Sequence, residues 1–168
     1  MTSLQSALLS QYSATLQMLE NAIRACPAAL WASAGERGSP FWYMAFHTLF
    51  YVDLYLRDTD AGFAPPPPFG LTEIDPSGVM PERVYTPEEL LAYLEHGRRK
   101  AHATIAGLTE ESAGEITRFR RRQMPRAELL IYNLRHVQHH VAQLNLLLRQ
   151  RIDSAPQWVA WDPHPTLE

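Results

Sequence analysis

Apolar residues recur at spacings of three and four along most of this chain, and four stretches carry that helical signature. In the first, from about Thr2 to Ala25, the stripe is Leu4, Leu8, Tyr12, Leu16, Leu19 and Ile23, and Pro27 stops it. The second, expected over 39–57, takes Ser39 as N-cap and Pro40 as its first helical residue. Its sequence, FWYMAFHTLFYVDLYL, is apolar on nearly every side. Such a helix must be buried on most faces or shared with a partner chain. The third, over 86–107, opens on Thr86, Pro87, Glu88 and Glu89, a capping box with proline in the first turn, and Gly107 is a plausible terminator. The fourth runs from near Pro125 to Arg151, where Arg149 and Arg151 suit the negative end of the helix dipole.

Residues 26–38 make a short link, and residues 58–85 a long one containing the run Pro65 to Pro68. Polyproline is extended and semi-rigid, so this link can carry the chain along the outside of a helical bundle to either end. A tail, 152–168, with Trp158 and Trp161, is expected to pack over the surface. No strand pattern is visible. The expected architecture is all-α: one four-helix bundle domain over 1–168 with a long Pro-rich connection between its second and third helices.

Composition narrows the field only modestly. Hydrophobic residues make up 46% and charged residues 20% of the 168, which is ordinary for a globular chain and argues against disorder. A net charge of -3 gives no global attraction to nucleic acid or anionic membranes. The N-terminus lacks a basic region ahead of an apolar one, so no signal peptide is expected. The apolar stretch 41–56 is too short to span a bilayer comfortably. The single cysteine, Cys26, excludes an intramolecular disulfide and fits a reducing cytoplasm. It lies at a helix C-terminus, where the dipole raises a thiol's pKa, so it is expected to be inert.

Candidate chemistry lies in the seven histidines. On the fourth helix His136 and His140 are about 40° apart around the axis, on the stripe of Leu129, Leu144 and Leu147, whereas His139 falls off it. Imidazoles at i and i+4 on one face can aim their nitrogens at one ion. Such pairs also occur on surfaces, and His47, alone among Tyr43, Phe46, Phe50 and Tyr51, reads by itself first as a neutral core histidine bonded to a backbone carbonyl or a tyrosine. Together, three core histidines would be costly to bury without a shared partner. Tyr43, Tyr51, Asn133 and Gln143 are candidates to orient the rings, each also readable as an ordinary polar residue. His96 and His102 are expected to face solvent, and His164 has no assigned role. The run Arg118, Arg120, Arg121, Arg122, with Arg126, reads as a solvated basic loop that can alternatively meet phosphates or an acidic substrate. No paired carboxylates, glycine-rich phosphate loop or nucleophile-elbow serine is present.

The segments WYMAFHTLFYVDLYL and NLRHVQHHVAQLNLLLR, an inward histidine in the second helix and H-x-x-x-H in the last with Gln-Leu just after, resemble the DinB-like metal-binding four-helix bundles. The likeness extends along the chain in helix order and includes the long second loop. It departs at Val141-Ala142, where Arg-Gly or similar often precedes Gln-Leu, which leaves the ligands untouched. The resemblance implies a divalent metal on His47, His136 and His140, nickel or zinc first, with iron or manganese as alternatives. It also implies a homodimer and a small-molecule substrate, with thiol-dependent S-transfer as the enzymatic reading. A non-catalytic, metal-stabilised interaction or stress-response protein is the alternative. No nucleic-acid or membrane partner is expected.

Overall fold

The long helix that ends the chain's ordered core, α6 (Arg126–Ile152), is the element against which both α1 (Ser3–Ala25) and α3 (Phe41–Tyr55) pack in a computed structural model describing residues 1–33, 38–119 and 122–162. On their other flanks α1 and α3 each meet α4 (Pro87–Ala106), so every long helix touches two others around a shared apolar interior. Two short helices, α2 (Ala28–Trp31) and α5 (Glu110–Gly114), and a hairpin complete the described elements. The hairpin pairs β1 (Ile116–Phe119) antiparallel with β2 (Arg122–Pro125), in register from Ile116 opposite Pro125 to Phe119 opposite Arg122. No helix is long and apolar enough to cross a membrane among the described residues.

Local sequence explains the helix starts. The capping box of Thr86 and Glu89 forms as expected, and Gly107 caps the other end of α4. Thr2 and Gln5 make a second such box on α1. Gln5 also donates from Nε2 to the carbonyls of Ala106 and Leu108, both at 2.9 Å, satisfying acceptors where α4 runs out of intrahelical partners. Ser39, by contrast, is not a cap. Pro40 occupies that position with no side-chain cap bond, and α3 starts at Phe41. The burial of Phe41 and Trp42 anchors this end instead.

The Pro-rich connection lies on α3 and α4 through its aromatic residues. Phe69 stacks on Tyr93 with ring centroids 4.5 Å apart and on Phe46 at 5.8 Å, while Tyr85 meets Phe46 at 4.9 Å. Pinned there, the connection turns through a short 3-10 segment, Thr72–Ile74, above the centre of α3. Where α3 and α4 cross, Gly97 leaves room for Val52, whose Cγ1 would lie 3.3 Å from an added Cβ. Asp53, fully buried on α3, is held by Lys100 and by the Tyr93 hydroxyl, which donates to it at 3.1 Å. His96 also approaches Asp53, at 3.5 Å, while His96 and His102 both stay partly exposed on α4.

Two further expectations need correction. The hairpin at 116–125 was not visible in the sequence, because strands of four residues leave no alternating run to read. In the tail, Ala155 and Val159 pack on the core and Ser10 donates to the Asp162 carbonyl at 2.8 Å, whereas Trp158 and Trp161 are exposed. His164, Arg120 and Arg121 lie outside the described residues.

Candidate metal centre

Packing of α3 on α6 brings His47 against the pair one turn apart on α6. Ring centroids are 4.7 Å from His47 to His140, 5.3 Å from His47 to His136, and 4.5 Å from His136 to His140. One nitrogen from each ring lies within 4.8 Å of the other two, close enough to hold a single ion. The Nε2 atoms of His136 and His140 are 3.1 Å apart. Two ligands about 2.0–2.1 Å from a tetrahedral zinc would be about 3.3 Å apart, so this edge of the triangle is close to metal-ready. His139, as expected, stays outside: it is exposed and meets the amide of Gln143 at 3.2 Å.

The tautomers are set from outside the triangle. His47 Nδ1 donates to Oε2 of Glu73 at 2.6 Å, since a carboxylate can only accept. His140 Nδ1 is bound by Oε1 of Gln143 at 2.8 Å. Both arrangements turn Nε2 inward, toward His136 Nε2 in the case of His140, in the manner by which outer-shell acceptors orient metal-binding imidazoles. His136 Nδ1 is buried without a partner, so this ring's polar commitments all lie on its Nε2 side. Burial above all, then the neighbouring histidines and Arg122, pushes the His136 imidazole down to about 3. Burial likewise lowers His140, against the opposing bond from Gln143. Neutral imidazole is the form that coordinates metal, so burial readies His136 and His140 for a divalent ion.

Of the expected orienting residues, Gln143 takes that role directly. Tyr51 packs on His47 at 4.8 Å and on His136 at 5.3 Å, and its hydroxyl donates to the Glu73 carbonyl at 3.2 Å. Tyr43 acts one step out, against Glu73, whose charge adds to burial in raising the phenol's pKa. Asn133 is not part of the centre: it donates to the Val52 carbonyl at 3.1 Å and serves the α3–α6 contact. Glu73 is the residue that sequence reasoning missed. An isolated glutamate in a long connection carries no periodic or spacing signal, yet its side chain is only 3% exposed here.

Glu73 and Tyr51 also line a cleft of about 620 Å³, continued by Tyr55, Phe119 and Arg122. Cys26 lies elsewhere, half-buried at the C-terminal cap of α1, where burial pushes its thiol up to about 12. Arg126 is paired with Asp58, so the basic run is partly neutralised within the protein.

A crystallised relative in structure is the DinB-like protein YjoA from Bacillus subtilis, with a TM-score of 0.64 over 91% of this chain and 98% of that one, at 14% identity. At that identity the likeness is one of fold. No curated protein matches the chain significantly. The family model described as the DinB superfamily matches residues 11–144, most of the chain, and the protein belongs to that superfamily.

Proposed function

We propose that this protein is a divalent-metal-dependent enzyme built on a four-helix bundle, with the ion held by His47, His136 and His140. The observation that carries the reading is the convergence of three imidazoles from α3 and α6 to within 4.8 Å. Nickel or zinc suits such a ligand set best, with iron or manganese as alternatives. Among the described residues no fourth histidine, cysteine or carboxylate joins the group, and an open three-ligand set is the pattern of catalytic rather than structural sites. The adjoining cleft supports the same choice over a purely structural metal.

An ion held there would lower the pKa of a thiol or water brought to it and supply a nucleophile at neutral pH. The chain's own residues prepare that chemistry. Glu73 and Gln143 fix two of the rings, and Tyr51 shields the His47–His136 side from solvent while forming one wall of the cleft. Thiol-dependent S-transfer to a small electrophile is the reaction class we favour, on the family resemblance. A homodimeric state and a cytoplasmic location belong to the same proposal.

The test is metal content by mass spectrometry on protein purified without an affinity tag, beside a His136→Ala, His140→Ala double variant. About one equivalent in the wild type and almost none in the variant is the expected result. A wild type that stays empty after incubation with nickel, zinc, manganese and iron salts would overturn the reading.

A further inference from the structure

We propose that the cleft beside the histidines binds a small carboxylate, with Arg122 on β2 as its anchor. Arg122 sits 4.5 Å from the ring centroid of Tyr132 and 6.0 Å from that of Tyr55. It donates from Nη1 to both tyrosine hydroxyls, to Tyr55 at 3.1 Å. Its other donors, on Nη2 and Nε, find no acceptor among the described residues, and no carboxylate pairs with it there. A guanidinium held between two tyrosines, with one edge uncommitted, presents the planar fork that takes a carboxylate through two parallel bonds. Two aromatic contacts also restrict the side chain beforehand, which lowers the entropy cost of binding.

The surroundings define what the anion is attached to. Between Arg122 and Glu73 the cleft is walled by Tyr51, Tyr55 and Phe119, the last two in edge contact at 5.6 Å. Its volume of about 620 Å³ suits a small molecule with an apolar body. Three carboxylates also line the cleft: Asp75 accepts from the Ser77 backbone at 2.8 Å and hydroxyl at 2.5 Å, Glu73 accepts from His47 through Oε2, and Asp60 is not free either. The Glu73–Tyr51 end of the cleft adjoins His47 and is its reactive end only if the three histidines hold a metal, so the substrate assignment rests on that reading. The ligand class is therefore a small arylalkyl carboxylate whose far end lies at Glu73 and Tyr51, the residues that touch His47.

The test is calorimetric titration of the nickel-loaded protein with 3-phenylpropionate and its neutral isostere 3-phenylpropionamide. The wild type should prefer the carboxylate by about tenfold or more. Arg122→Gln should abolish that preference at unchanged nickel content, and Arg122→Lys, which keeps the charge but loses the fork, should restore only part of it. An equal affinity for both probes in the wild type overturns the proposal. So does a preference that survives Arg122→Gln, because the carboxylate would then be binding elsewhere, the ion included. Repeating the pair of titrations on His136→Ala, His140→Ala protein separates the two readings. An Arg122-dependent preference there supports the anion site even if the wild type binds no metal, whereas a preference that requires the histidines and not Arg122 overturns it.

Discussion

Replacing Glu73 by glutamine isolates the contribution of a loop carboxylate to a site whose ligands all lie on helices. The Glu73–His47 bond is short, at 2.6 Å, and its carboxylate is 3% exposed, so solvent screens it little. A hydrogen bond to a charged group contributes about 1.5–3 kcal/mol and one between neutral groups about 0.5–1.5. Glutamine keeps the shape and an accepting oxygen, so the loss is the difference, about 1–1.5 kcal/mol, or roughly a tenfold weaker metal affinity. The upper bound is about a hundredfold, the largest effect typical of such outer-shell partners. Stability of the metal-free fold should change little. Glutamine weakens the bond to His47, but Oε1 of Glu73 is buried with no hydrogen-bond partner, so neutralising the carboxylate also relieves an uncompensated desolvation cost. The assay is competitive titration against a chromophoric chelator, alongside thermal unfolding of the metal-free protein. Unchanged affinity in Glu73→Gln would refute the argument, and so would a drop in apo stability large enough to account for weaker binding.

The buried groups on α6 and α3 carry two further predictions. His136 has its folded-state pKa depressed from 6.5 to about 3, so below pH 6.5 the unfolded chain takes up a proton that the folded protein refuses. The metal-free protein should therefore lose stability progressively as pH falls from about 6.5 toward 3. His136→Gln should flatten that dependence in urea unfolding curves; an equally steep profile would show that another group is responsible. Asp53→Ala should destabilise by about 3 kcal/mol, since it strips the buried partner from Lys100 and Tyr93. Metal content should be unaffected, because the cluster faces α4 and not α6; loss of metal on this change would contradict the separation of the two sites.

What the sequence determined by itself is what helices encode locally. Periodicity over ten or more residues marked all four long helices to within about two residues, and the Thr86 capping box and Gly107 marked the ends of α4 because capping is settled within one turn. The i, i+4 spacing of His136 and His140 placed both rings on one face for the same reason, and the family resemblance added His47. Tertiary structure decided everything that joins distant segments. Glu73 reaches His47 only because Phe69 pins the Pro-rich connection to α3 and α4, a contact with no local signature. Asn133 lies near the histidine stripe on a helical wheel, yet it turns to the Val52 carbonyl, since buried amides go where an unpaired carbonyl is. Arg122 was legible only as part of a basic run; the hairpin and two tyrosines from other elements gave it an oriented fork on a cleft. Helix-face chemistry is written in short-range spacing, whereas the groups that orient it and shape its pocket depend on which surfaces the core brings together.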